Sequence, residues 1–103
     1  MGKAYSEQSM EEKIEKLFAR LLTSSVWLED AATRLVWVTL LVLADDDGRV
    51  ECSLPDLARE AYVSLGECSH ALERLNSPDR HNREKVFGGR RIRVVDGGWS
   101  ILV

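Results

Sequence analysis

The stretch Ser53–Leu75, SLPDLAREAYVSLGECSHALERL, constrains the fold of this 103-residue chain more than any other. Each half opens on a serine, a residue whose hydroxyl accepts from the free N–H groups of a helix start. In the first half, Pro55 and Asp56 stand in the opening turn, where a preset φ and a negative charge are both favoured. Leu54, Leu57, Ala58 and Ala61 then recur at helical spacing as one apolar stripe. Tyr62-Val63 is the turn. Ser64 and Glu67 spell a capping box, S-x-x-E, and Leu65, Cys68, Ala71, Leu72 and Leu75 form the second stripe. Asn76-Ser77-Pro78 stops it. Two short capped helices joined by two residues make a helix-turn-helix, which needs a third layer to cover its stripes.

The apolar run Leu35–Ala44, LVWVTLLVLA, supplies that layer. It is about half the ~20 residues needed to cross a bilayer. Nearly every position is apolar, so periodicity does not separate strand from helix; length does. With Asp30 as N-cap, Ala31–Ala44 is predicted as a central helix. Asp45-Asp46-Asp47-Gly48 ends it, and three adjacent carboxylates lack the spaced ligands and twelfth-position Glu of a calcium loop, so they read as a solvated turn. Arg49-Val50-Glu51 is a short strand. From Arg91 the period changes to two: Arg91–Val95 and Trp99–Val103 flank Asp96-Gly97-Gly98, a hairpin signal. Trp37 and Trp99 are assigned to the core, and Trp27 to a lid or contact position.

Residues 1–9 are polar and read as a disordered tail with no secretory signal. Over 10–24, Ile14, Leu17, Phe18, Leu21 and Leu22 fall at i, i+3, i+4, i+7 and i+8, one face of an amphipathic helix. That face lies on its own domain or on a second copy. Residues 25–103 then form one domain, as the length implies. The predicted class is α+β, mainly α. Its element order is helix, strand, helix, helix, hairpin: a winged helix-turn-helix with an extra N-terminal helix and a C-terminal β-hairpin wing.

Charge is distributed unevenly. Residues 1–71 hold 7 Lys+Arg against 13 Asp+Glu, and residues 72–103 hold 7 against 4, although the whole chain is net −3. Any contact with a polyanion is therefore expected at the C-terminal end. Cys52 and Cys68 read as reduced thiols rather than a framework, and only His70 and His81 are available to join them at a metal, so no metal site and no cofactor are expected. No phosphate loop, G-x-S-x-G or H-E-x-x-H is present, and an enzyme with a small-molecule substrate is not indicated.

From Ser25 to Val103, roughly three-quarters of the chain, the sequence resembles a domain of bacteriophage and prophage replication-initiation (replisome-organiser-like) proteins. The resemblance rests on SVWLEDAATRLVWVTLLVLADDDGRV, SLPDLAREAYVSLGECSHALERL, SPD and GGRRIRVVDGGWSIL. It includes the helix end W-x-x-L-L-x-x-A-D-x-D-G and the G-R-R-I…GGW wing. The resemblance implies a winged helix that binds double-stranded DNA in the cytoplasm of a bacterial host, in replication initiation or transcription control, with no membrane association.

On that reading the second helix of the pair, residues 64–76, enters the major groove, with Ser64, Ser69, His70 and Arg74 as donors to bases or phosphates. The loop and wing, residues 80–98, contribute Arg80, Arg83, Lys85, Arg90, Arg91 and Arg93 to the backbone. Arg91 and Arg93 are expected on one outward strand face, with Ile92 and Val94 on the other. Ile14, Leu17, Phe18 and Leu21 are candidates for a homodimer interface, which would suit paired half-sites. A competing reading makes the chain a protein-interaction module, meeting itself or replication proteins through the N-terminal helix or the acidic surface of the helix pair, without physiological DNA binding.

Overall fold

A computed structural model of the chain describes residues 25–82 and 87–102. The tail at 1–9 and the amphipathic helix expected at 10–24 lie outside the described residues.

A 3-10 turn, Ser25–Leu28, leads into helix α1, Ala31–Leu43. Asp30 caps α1, its Oδ1 accepting from the Thr33 N–H at 2.8 Å. The central helix read from its length is therefore present. Its end is organised by Asp45, whose Oδ1 accepts from the N–H groups of Asp47 at 2.9 Å and Arg49 at 3.0 Å. The aspartate run is thus a self-bonded turn, closed by Gly48 at φ +77°, and it delivers the chain into β1, Arg49–Glu51.

Helix α2, Leu54–Ala61, starts at Ser53. It stops at Tyr62, which adopts the left-handed φ of 58° and donates its N–H back to Ala58 and Arg59. Both halves of the capping box then form at helix α3, Leu65–Leu75. The hairpin follows: β2, Ile92–Val95, and β3, Gly98–Ile101, joined by Asp96-Gly97 with Gly97 at φ +82°. The turn holds two residues rather than three because Gly98 pairs with Val95. The three strands form an antiparallel sheet in the order β1-β3-β2, with Val50 opposite Trp99 and Ile92 opposite Ile101. The result is a mainly helical α+β fold of three helices and three strands among the described residues.

One core joins the layers. Val36, Trp37 and Leu40 of α1 meet Leu57, Ala58 and Ala61 of α2, Cys68, Ala71, Leu72 and Leu75 of α3, and Val50, Ile92, Trp99 and Ile101 of the sheet. Each fully buried Leu or Ile contributes about 1.5–3 kcal/mol of transfer free energy. Trp37 and Trp99 are core residues as expected, and Trp27 is 43% exposed with Arg34 stacked on its ring at 5.1 Å. Two expectations change. Leu65 faces solvent because it occupies the first position of α3, ahead of the turn that meets α1, and Val94, on the edge strand β2, is exposed although it pairs with the buried Trp99. No described helix is long and apolar enough to cross a membrane.

Candidate nucleic-acid interface

Burial of Cys68, Ala71, Leu72 and Leu75 fixes the rotation of α3 and turns Gly66, Glu67, Ser69, His70, Glu73 and Arg74 to solvent. Ser69, His70 and Arg74 thus share the outward face, as the spacing predicts. Their neighbours alter what they can do. The Arg74 guanidinium binds Glu29 in two bonds, Nη2 to Oε1 at 2.6 Å and Nε to Oε2 at 3.0 Å. His70 Nε2 lies 3.8 Å from Asp30 Oδ2. The Asp30 carboxyl is held below its usual range, first by the Thr33 backbone N–H, with His70 and Arg74 adding to the effect. Two acidic residues from the approach to α1 therefore sit against Arg74 and His70 of α3.

The start of α3 carries an anion of its own. Ser64 N–H donates to Glu67 Oε1 at 2.9 Å and Ser64 Oγ accepts from the Glu67 N–H at 3.1 Å. The Ser64 N–H, and after it the Ser64 hydroxyl, hold the Glu67 carboxyl below its ordinary range. A phosphate approaching this helix end meets a carboxylate already bound there, so Ser64 serves the fold before any ligand.

The connection after α3 contains the main correction. Arg91 is not on an outward wing face; only 8% of it is exposed. It precedes β2, so strand alternation does not set its direction: its N–H donates to the Leu75 carbonyl at 2.9 Å and its carbonyl accepts from Leu102 at 2.8 Å. Its guanidinium lies over the Trp37 ring at 5.8 Å and donates to Asp79 Oδ2 at 3.3 Å and to Ser25 Oγ. Burial alone raises the Asp79 carboxyl, but the Ser25 hydroxyl, the His81 N–H and Arg91 outweigh it and leave it below the usual carboxylate range. Burial in turn draws the Arg91 guanidinium down, against the pull of Asp79. This set joins residues 12 to 66 positions apart, and no local pattern in the sequence announces it.

Arg80, Arg90 and Arg93 are exposed, whereas Arg83 and Lys85 lie outside the described residues. Arg74, Arg80 and His81 line one open cleft of ≈ 380 Å³ at the C-terminal end of α3, together with Glu29 and Asp79. Because Arg91 N–H is tied to Leu75, Arg90 is brought to that same end of the helix. Burial raises the thiols of both Cys52 and Cys68, with Asp56 and Glu60 contributing at Cys52, so neither is an activated nucleophile. No cluster of three metal-ligating side chains occurs among the described residues.

Compared with family models, curated proteins and solved structures, the chain matches none.

Proposed function

We propose that this chain is a non-catalytic winged helix-turn-helix protein that binds double-stranded DNA, with α3 in the major groove and β2–β3 as the wing. The observation that carries the reading is the junction of α3 with the hairpin. The Arg91–Leu75 bond gathers Arg74, Arg80 and Arg90 at one end of the exposed helix, and Arg93 continues the line of charge along β2. A helix with a solvent-facing polar side and a basic edge is the arrangement that reads bases while neutralising phosphates. The resemblance to phage replication-initiation proteins gives the biological setting: replication initiation or transcription control in the cytoplasm of a bacterial host.

Two features define the contribution of each part. Glu67 and Glu73 oppose phosphates, so α3 contributes discrimination more than affinity, through Ser69, His70 and Arg74. The exposed arginines of the loop and wing contribute the sequence-independent attraction, which is salt-dependent. The decisive experiment titrates random-sequence duplex DNA at several salt concentrations, wild type against Arg90→Ala/Arg93→Ala. Binding is expected whose log–log salt slope becomes shallower by about one unit for each phosphate contact removed. Absence of binding at the lowest salt would leave the protein-interaction reading, which the exposed acidic side chains Glu60, Glu67 and Glu73 favour.

A further inference from the structure

Helix α3 carries its arginine at one end and its exposed apolar side chains at the other. Arg74, with Arg80 and Arg90 brought beside it, stands at the C-terminal end. The opposite end, YVSLGECS from Tyr62 to Ser69, contains no cation and one anion, Glu67. Two large apolar side chains are exposed there, Tyr62 at 93% and Leu65 at 53%. Tyr62 also holds a left-handed φ of 58°, which glycine adopts without strain. A ring so exposed returns no packing to the fold in exchange.

Most polar side chains on the outward face of α3 are already engaged. Glu67 closes the capping box with Ser64, Arg74 is clamped by Glu29, and His70 lies 3.8 Å from Asp30. Leu65 and Ser69 are one helical turn apart, so they stand one above the other on the same side. Both are exposed, and Gly66 beside Leu65 adds no side chain and faces open space. A ligand can therefore approach Leu65 closely.

We propose that Leu65 reads a thymine methyl in the major groove, so that the target of this chain is a thymine-containing duplex site. The inference rests on the DNA-binding reading above and adds the base that α3 selects. Charge decides which end of α3 meets what. Phosphates are drawn to the arginine end and repelled by Glu67, so the backbone passes the C-terminal end while the N-terminal end points at base edges. The edges in the major groove present donors and acceptors, and thymine adds an apolar C5 methyl. An exposed leucine complements that methyl. Against a donor or acceptor it would strip away water and give no hydrogen bond back. Ser69, one turn on, can donate to or accept from a neighbouring base, which fixes register without choosing the methyl.

Deoxyuridine lacks only that methyl and keeps every hydrogen-bonding group of thymidine, so it isolates the contact. The full chain is used to enrich bound sequences from a random duplex pool at moderate salt, and the enriched duplex is remade with dU for each dT in turn. The enriched duplexes are expected to share a thymine, whose replacement weakens wild-type binding about four-fold, the worth of one buried methyl group. Leu65→Ala should bind the dT and dU duplexes equally. Its far-ultraviolet circular dichroism spectrum and its salt slope should be unchanged, because no phosphate contact is lost. Three results would overturn the proposal: a pool that enriches no thymine position, wild-type binding indifferent to dU, or a Leu65→Ala variant that keeps the wild-type preference. In each of these the DNA-binding reading stands, because the pool is still bound. A pool left unbound at the lowest salt instead removes that reading and this one together.

Discussion

Arg74 is clamped by Glu29, 45 residues away, through two hydrogen bonds of 2.6 and 3.0 Å. The best-placed cation of α3 is thus already engaged by a carboxylate from the segment before α1. In a DNA complex a phosphate has to compete with Glu29 for it, or Arg74 has to turn away toward a base.

Replacing that carboxylate with the neutral Glu29→Gln should therefore strengthen DNA binding several-fold at low salt. It should also steepen the salt slope by about one unit, because Arg74 becomes available to a phosphate. A fluorescence-anisotropy titration of Glu29→Gln against wild type measures both. An unchanged slope would show that Arg74 does not reach the backbone.

Arg91 and Arg93 are two residues apart and should behave as opposites. Arg91→Ala leaves Asp79 largely buried without its counter-charge, and the expected loss is about 2–3 kcal/mol of folding stability. Arg93→Ala, at an exposed position, should change stability by less than about 0.5 kcal/mol and weaken DNA binding instead. Urea unfolding midpoints separate the two effects.

The Asp79 carboxyl is depressed on folding, so its contribution to stability is present above its unfolded pKa of about 3.9. It is lost as the pH falls through the lower folded value. Asp79→Asn should accordingly be less stable than wild type near neutrality, and the gap should narrow as the pH drops below 4. Unfolding curves taken between pH 7 and 2.5 test the convergence; a constant gap would mean that Asp79 acts through packing rather than charge.

Gly89 combines φ +83° with a close approach to the Asp79 carbonyl, into which a Cβ would project. Gly89→Ala is expected to cost more than 2 kcal/mol, since left-handed strain and a backbone clash add. Gly66→Ala, in α3 with open space around it, should instead be neutral or slightly stabilising. Thermal unfolding of the pair checks the contrast.

Most of the secondary structure was legible in the residues because its signals are local. Serine caps, the S64-x-x-E67 box and the Asp-Gly turn act within four residues of one another and appear where they were expected, whereas the periodicities hold except at Leu65, Arg91 and Val94. Length and the helix-forming Ala31-Ala32 opening separated helix from strand at Leu35–Ala44. Strand alternation failed at Arg91 because the chain there is not yet in β2; its direction is set by bonds to Leu75 and Leu102. The fate of Leu65 was likewise illegible, since a stripe predicts which face turns inward but not how far along the helix the neighbour extends.

The sequence by itself determined the elements, their order and the basic bias of the last third, because capping, periodicity and charge are properties of neighbouring residues. Tertiary structure alone decided which arginines are exposed and which are fasteners. Arg91 is buried on Trp37, Asp79 and Ser25, Arg74 is held by Glu29, and Arg93 is exposed. The reason is physical: the identical side chain is a solvated charge or a desolvated ion-pair partner according to what the fold places beside it.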